Sequence, residues 1–495
     1  MNCVTRVLPH VRETPDRTAI WTTRGATSFG DFGRLAAGAQ ALTRREGLRR
    51  GDAVLLLDTP GPLLFATMIA LLALGITVVF VEPWLGVRDV EHVLRRAAPR
   101  AFIGSRMAQL WALRVRAARR IPRWIHIRDV ARDGNGGPLE CLDLDPATPG
   151  TITFSSGTAG RSKGFVRSHA CLWSLHEAIT DVNRRDRLDG PELCVFPNLA
   201  LLHLGTGRGA VLVPKSWSRR SLRRVEALCR QSRPASMATG PAFLLRLLRV
   251  ADSSEAFGSL RAIAVGGAQT DCWILERCFA RWPEARFTHV YGGSEAEPVA
   301  LADAREAVER SRQRGRFQTL FVGQPIPMLE TDPDPHRGLR VRGPNVAERF
   351  RDGAGAARDD GSSSGGDAAS PDDRAPAPGD AWHEVGDRIL ADDEGWWYAG
   401  RAAQPLEEFE LEQRVYADLG TSACFVYREP GGRLVLCGEG VVRRVDEAGR
   451  DFLRRHPELE EVRDTSIVRD RRHRARIDRR ASLARAGRRD EAGSR

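Results

Sequence analysis

A glycine- and hydroxyl-rich segment that ends in lysine has the clearest chemistry in this chain. TITFSSGTAGRSKG (151–164) passes from a strand-like pattern into small residues and reaches Lys163. Glycines let backbone N–H groups approach a phosphate, hydroxyls donate to its oxygens, and a lysine adds a point charge. The order of glycine and lysine differs from the G-x-x-x-x-G-K-[ST] loop. The segment therefore predicts a phosphate-binding loop of another type, against the simpler interpretation of a serine- and glycine-rich turn.

Three further motifs follow it along the chain. AVGGAQ (264–269), YGGSEAEP (291–298) and VGDRILADDEGWWYAGR (385–401) place glycines, a tyrosine and carboxylates at the ends of strand-like segments. A carboxylate is a hard ligand that suits Mg²⁺, and it can also accept hydrogen bonds from vicinal hydroxyls. Taken singly, each motif could equally be a core tyrosine, a solvent-exposed glutamate or an aspartate in a turn.

Taken together, the four motifs resemble the adenylate-forming enzymes, which comprise acyl-CoA synthetases, luciferases and nonribosomal adenylation domains. The family's T/S-S/G-G-T-T-G-x-P-K-G loop is matched by Ser155, Ser156, Gly157, Thr158, Gly160, Lys163 and Gly164. Ala159 and Ser162 depart from the family's Thr and Pro. The other three motifs are similar to the family's adenine-lining, Y-G-x-T-E and G-D…G-R motifs, in the same order.

The resemblance implies a role for each matching residue. Lys163 and Glu295 would act on the phosphates, Glu295 as the Mg²⁺ ligand. The expected nucleotide-binding residues beyond the loop are Gly266, Gly267 and Ala268 at the adenine, Tyr291 stacked on it, Gly292 and Ser294 by the phosphates, and Asp387 and Arg401 at the ribose. ATP and Mg²⁺ are thus the expected cofactors, and a small carboxylic acid is the expected substrate.

Finer features resemble the fatty-acid-CoA-ligase-like branch that includes β-lactone synthetases. The apolar FPNLALLHLGTG (196–207) lacks the aspartate with which amino-acid-activating relatives hold an amino group, so an uncharged acyl chain is expected. The phrase RDRRHRARID (469–478) is similar to the branch's C-terminal D-x-R-H-x-A-K-I. Arg476 takes the place of the family's catalytic lysine there, and the two side chains are not equivalent.

The expected reaction converts the acid to acyl-AMP and pyrophosphate, after which a second nucleophile displaces AMP. The two alternatives for that nucleophile are a CoA thiol and the substrate's own β-hydroxyl. CoA transfer is in question because RAAQPLEEFELEQ (401–413) does not match the glycine-rich loop of relatives. Arg476 and this loop also motivate another class, a nucleotide- or acyl-binding pseudoenzyme that partners an enzyme. His203 and His473 are interpreted as a core or pocket-wall residue and as part of a basic run.

Alternating strand and helix patterns must position these residues. Short apolar runs and amphipathic segments alternate from residue 18 to about 320, which predicts an α/β fold with parallel-rich sheets and flanking helices. The expected organisation is a large adenylation domain (1–400) and a small α/β lid (404–495) with a basic tail. Residues 351–380 contain no large apolar side chain, so they predict a flexible insertion in the large domain.

Composition excludes several other classes. The formal net charge of +11 is concentrated in 469–495, which holds eleven arginines and four acids, and no nucleic-acid-binding motif accompanies it. Nine scattered cysteines and an N-terminus without a signal-peptide core indicate a cytoplasmic protein. The apolar stretch 63–81 is interrupted by Gly75, so a buried helix followed by a buried strand is favoured over a membrane span.

Overall fold

The computed structural model describes residues 1–81, 85–131, 137–155, 163–183, 188–250, 254–293, 295–349, 381–448, 451–469 and 477–484. The predicted insertion 351–380 lies outside these residues. The helices are α1 (Leu8–Glu13), α2 (Phe29–Arg45), α3 (Pro62–Ala73), α4 (Val87–Ala97), α5 (Arg106–Ala112), α6 (Arg116–Arg119), α7 (His169–Asn183), α8 (Ala200–Gly205), α9 (Arg219–Ser232), α10 (Pro241–Val250), α11 (Cys272–Arg281), α12 (Ala304–Gln313), α13 (Leu406–Leu419), α14 (Val441–Ala448) and α15 (Asp451–Arg455).

The strands are β1 (Thr18–Thr22), β2 (Gly25–Ser28), β3 (Ala53–Leu57), β4 (Thr77–Val79), β5 (Ala101–Gly104), β6 (Arg123–His126), β7 (Pro149–Ser155), β8 (Lys163–Ser168), β9 (Glu192–Cys194), β10 (Ala210–Leu212), β11 (Ser236–Thr239), β12 (Ala262–Gly266), β13 (Arg286–Tyr291), β14 (Ala300–Asp303), β15 (Phe321–Pro325), β16 (Glu330–Asp334), β17 (Gly338–Arg342), β18 (Glu348–Arg349), β19 (His383–Glu384), β20 (Asp387–Asp392), β21 (Gly395–Arg401), β22 (Cys424–Arg428), β23 (Leu434–Gly438) and β24 (Glu461–Asp464).

Two large sheets carry the fold. One has the order β2-β1-β10-β9-β11-β12-β13-β14-β15-β21-β20, and the other has the order β18-β8-β7-β4-β3-β5-β6. Strands β1, β10, β9, β11, β12 and β13 are mutually parallel in the first sheet, as are β7, β4, β3, β5 and β6 in the second. The predicted α/β class with parallel-rich sheets is confirmed.

Helix α3 shows why the apolar stretch at 63–81 folds inside the protein. All its residues from Leu64 to Ala73 are buried, and β4 follows after Gly75, whose φ of +67° suits glycine. The predicted helix followed by a buried strand is therefore correct. No helix in the described ranges is both long and apolar enough to span a bilayer.

A small C-terminal unit, residues 404–484, follows β21. Its sheet has the order β22-β23-β24, and α13, α14 and α15 pack on it around Val415, Leu436 and Phe452. Strands β22 and β23 form an antiparallel hairpin around Gly431 and Gly432. Trp273 and Phe317, which precede β21 in the chain, also pack into this core.

Arg388 fastens the segment that joins β21 to the C-terminal unit. Its guanidinium, which is 8% exposed, donates to the carbonyls of Pro335 (2.9 Å), Ala402 (3.0 Å) and Gln404 (2.9 Å). Each contact is to backbone, so a single side chain holds the connection in place.

Candidate active site

Tyr291, Asp387 and Arg401 meet in a buried, hydrogen-bonded arrangement. The Tyr291 hydroxyl donates to Asp387 Oδ2 at 3.0 Å, and Arg401 Nη1 lies 2.9 Å from Asp387 Oδ1. Asp387 is 6% exposed. Burial and then the Asp387 charge raise the pKa of Tyr291 well above its usual value, so the phenol stays protonated as the donor.

Local structure explains how the sequence brings these residues together. Asp392 Oδ1 accepts hydrogen bonds from the N–H groups of Glu394 and Gly395, which closes the D-E-G turn (393–395) between β20 and β21. The β20–β21 pairing then sets Asp387 opposite Arg401. Tyr291 ends β13, which lies four strands from β20 in the sheet. Since neighbouring strands are about 4.8 Å apart, the 3.0 Å contact requires this part of the sheet to curl.

Glu295 faces the same arrangement. Burial alone would lower the pKa of Arg401. The negative charge of Asp387 outweighs it together with smaller contributions from two tyrosines and Glu295, so the pKa of Arg401 is raised above its usual value. The Ala347 N–H donates to the Glu295 carbonyl at 2.7 Å, and the Gly293 N–H donates to the Ala296 carbonyl at 2.8 Å. These bonds fix the turn that carries the Glu295 carboxylate.

Glycines allow close backbone approach at two of the predicted positions. A Cβ on Gly266 would lie 2.8 Å from the Val290 carbonyl oxygen, and one on Gly292 would lie 2.8 Å from that of Ala296. Gly267 has a φ of +83°. Ala268 is buried next to them. The GGA segment thus presents backbone, rather than side chains, beside Tyr291.

The two strands on either side of the predicted phosphate-binding loop are adjacent and antiparallel. Ser155 pairs with Lys163, and Phe154 pairs with Gly164, so the loop joins neighbouring strand ends. The predicted loop residues Ser156, Gly157, Thr158 and Gly160 lie outside the described residues, as do Ser294 and Arg476.

A cavity of about 960 Å³ continues from this site, a size in the range of small-molecule pockets. We call the lining residues Gly267, Glu295 and Arg469 the polar end and a group of apolar lining residues the apolar end. The lining also includes the charged side chains of Asp58, Arg167, Lys215, Arg246 and Glu297. The side chains at the apolar end are Phe65, Met68, Leu172, Leu175, Ile179 and Leu202. Asp387 and Tyr291 do not line the cavity. Arg401 links them to its wall, because the charges of Asp387 and of the lining residue Glu295 both act on the Arg401 guanidinium.

Polar side chains also border the cavity. Arg6 stacks over Trp173 at 3.7 Å and pairs with Glu177 at 2.7 Å. Burial and the Arg6 charge lower the pKa of His176 to about 4, although the Leu202 carbonyl acts in the opposite direction. His176 is therefore neutral at physiological pH and does not add charge to the wall.

His203 is a core residue, as the sequence indicated, whereas Arg469 lies in the cavity wall without having been singled out. His203 is 2% exposed and points away from the cavity, with its Nε2 3.7 Å from Oε1 of buried Glu192. Arg469, which no motif had singled out, reaches the polar end from the C-terminal unit. The only sequence signal was its place at the start of the RDRRHRARID phrase.

Solved structures of adenylate-forming enzymes share this fold over nearly the whole chain. The anthranilate CoA ligase AuaEII in complex with anthranoyl-AMP matches with a TM-score of 0.75, 15% identity and coverage of 99% of this chain and 98% of that one. The amide bond synthetase McbA from Marinactinospora thermotolerans matches with a TM-score of 0.75, 17% identity and 98% of each chain. The fold is thus that of an α/β enzyme with a small C-terminal unit.

The chain belongs to the AMP-binding enzyme family, whose model matches residues 9–347. The resemblance indicated by the four motifs is therefore confirmed. An olefin β-lactone synthetase from Xanthomonas campestris pv. campestris is 27% identical over 59% of this chain and 57% of its own length. A 3-hydroxybenzoate–CoA ligase from Aromatoleum sp. is 25% identical over 82% of this chain and 78% of its own. The alignment thus spans just over half of the first relative.

Proposed function

We propose that this protein is an ATP- and Mg²⁺-dependent, AMP-forming acid ligase. The observation that carries the proposal is the buried Asp387 carboxylate, bonded to Tyr291 and Arg401, near a cavity that both charged and apolar side chains line. A polar nucleotide and an apolar acid can occupy such a cavity together. Family membership and the ligases among the relatives support the same assignment.

In this proposal the nucleotide extends beyond the cavity lining toward Asp387 and Arg401, which hold the ribose hydroxyls, and toward Tyr291 and the GGA segment, which hold the adenine. Glu295 fits a Mg²⁺ ligand because it is a carboxylate in the cavity wall, and carboxylate oxygens are the ligands that Mg²⁺ prefers. The metal would offset phosphate charge. Lys163 and the 155–164 loop bind phosphate, and Arg476 reaches the reacting groups from the C-terminal unit.

The proposed reaction begins when the substrate carboxylate attacks the α-phosphorus of ATP in line. A new P–O bond forms as the bond to pyrophosphate breaks, which gives acyl-AMP. The apolar end favours a fatty or β-oxygenated acyl chain. AMP then leaves on attack by either CoA or the substrate's own β-hydroxyl. We also propose that residues 1–400 and 404–495 act as separate domains during these two steps.

Acid-dependent pyrophosphate release tests the function directly. A panel of carboxylic acids, with and without CoA, should identify acids that drive release, and the product should distinguish a thioester from a lactone. If ATP binds normally but no acid in the panel drives pyrophosphate release, the result would instead support the pseudoenzyme. No observation on the described residues favours that alternative.

Mg²⁺ titration of Glu295→Gln tests the metal assignment. The variant keeps the side-chain shape but removes the charge, so its loss of activity should shrink as Mg²⁺ rises. Glu330→Gln is the matched control, since Glu330 is exposed and pairs with Arg342 away from the cavity. An identical Mg²⁺ dependence in wild type and Glu295→Gln would contradict the assignment.

A further inference from the structure

Arg469 lies in the C-terminal unit next to backbone that hydrogen bonds hold. It forms an antiparallel bridge with Ile477, and the Asp478 N–H donates to the Val468 carbonyl at 2.7 Å. The Val468 N–H donates to the Ser482 hydroxyl at 2.9 Å. The backbone that precedes Arg469 is therefore held in place.

Two independent observations place this side chain beside the GGA segment. Arg469 lines the cavity together with Gly267 and Glu295. Its charge also acts on Asp271, which follows the GGA segment and whose pKa is raised by burial and lowered in part by Arg469. Arg469 thus brings a positive charge from the C-terminal unit to the polar end.

Contacts between the two parts of the chain maintain this position. The Ser422 hydroxyl of the C-terminal unit donates to Asp271 Oδ2 at 2.9 Å, and Gln318 Nε2 donates to Asp271 Oδ1 at 3.1 Å. Arg316 also pairs with Glu410. Asp271 therefore holds the C-terminal unit by a hydrogen bond where Arg469 enters the cavity.

The charges at the polar end call for a cation of this type. The proposed substrate, ATP, brings several negative charges to a wall that already carries Glu295. A guanidinium offers a planar set of donors that matches phosphate oxygens and keeps its charge at any physiological pH. Arg469 is the lining cation that the C-terminal unit contributes, whereas Arg6, Arg167, Lys215 and Arg246 in the same lining precede β21 in the chain.

We propose that Arg469 binds the phosphate chain of ATP directly, as a second cation that the C-terminal unit contributes beside Arg476. The contact exists while the Asp271–Ser422 hydrogen bond holds the unit in the position seen here. This inference rests on the proposed function for the identity of the ligand, but it concerns binding and needs no turnover.

Calorimetry of nucleotide binding tests it. Arg469→Ala should weaken ATP binding by about ten- to hundredfold, the loss expected for hydrogen bonds to a charged group. Binding of adenosine, which has no phosphate, should be unchanged, and Arg469→Lys should recover part of the ATP affinity. Equal weakening of ATP and adenosine, or no weakening of either, would overturn the proposal.

Two further variants separate this role from alternatives. Arg443→Ala removes the same charge from an exposed ion pair with Glu447 in the C-terminal unit, and it should leave ATP binding unchanged. Ser422→Ala should weaken ATP binding in wild type but add little in the Arg469→Ala background, because both changes remove one contact. Additive effects would contradict the link between Asp271 and Arg469.

The outcome is distinct from that of the proposed function. If ATP binds through Arg469 but no acid releases pyrophosphate, the ligase assignment fails and the inference stands. If acids drive pyrophosphate release and Arg469→Ala binds ATP normally, the ligase assignment stands and the inference about Arg469 fails.

Discussion

The polar and apolar ends of the cavity are held by different forces. Next to the polar end, Asp387 is fixed by a phenol hydroxyl and a guanidinium, and backbone hydrogen bonds hold the segment that carries Glu295. At the apolar end, Leu175, Ile179 and Leu202 pack against one another without directional bonds. Hydrogen bonds demand one arrangement of atoms, whereas apolar packing mainly demands volume. The polar end should therefore select one ligand strictly, and the apolar end should select by size.

The largest expected effect is at the polar end. Asp387→Asn removes the charge that Arg401 and Tyr291 hold in place, and it leaves Arg401 without its buried carboxylate. We expect ATP affinity to fall by about hundredfold, or ~2–3 kcal/mol. Calorimetry at several Mg²⁺ concentrations should show the same loss at each, unlike Glu295→Gln.

Asp332→Asn is the matched control for that measurement, since Asp332 also pairs with an arginine, Arg340, but takes no part in the contacts among Tyr291, Asp387 and Arg401. Its ATP affinity should equal that of wild type. A loss as large as that of Asp387→Asn would show that the polar end is no more selective than the rest of the surface.

A smaller, size-dependent effect is expected at the apolar end. Ile179→Trp adds bulk to the cavity wall, so kcat/KM for the longest accepted acid should fall by about tenfold while the shortest acid is little affected. The KM for ATP should not change. Trp substitution at exposed Val442 provides a control for the added side chain. Equal losses for short and long acids would contradict selection by volume.

The smallest expected effect is on stability as a function of pH. His176 lies at the cavity wall and His289 lies in β13 near the polar end, and burial lowers the pKa of each to about 4. The unfolded chain binds protons at these histidines below pH 6.5 and the folded chain does not, so the free energy of unfolding falls on acidification. Each should contribute a loss of about 1 kcal/mol between pH 6.5 and 5.5.

Urea denaturation at both pH values measures this loss. His176→Phe and His289→Phe should each flatten the pH dependence by a similar amount, because the same desolvation acts at both ends. A flat profile in wild type would show that these rings gain their protons without unfolding.

Sequence patterns predicted most elements and part of the site. Asp387 and Arg401 could be paired in advance because a D-E-G turn and two flanking strand patterns fix their register. The Tyr291–Asp387 contact could not, since it depends on curling across four strands. Arg469 was missed because arginine occurs throughout its segment. Its bridge to Ile477 and its place in the cavity wall are tertiary features that the sequence does not show. The burial of His203 beside Glu192 likewise depends on which face of α8 meets β9.

The clamp made by Arg388 has a consequence for how this chain can change or be recombined. Its partners are backbone carbonyls, which every residue type supplies, so the side chains at Ala402 and Gln404 can vary without loss of the clamp. Position 388 itself cannot vary in this way, because Lys offers no planar set of donors for three separate carbonyls. An exchange of C-terminal units between homologues should therefore place its junction after Gln404, so that Arg388 and the carbonyls it holds come from one parent.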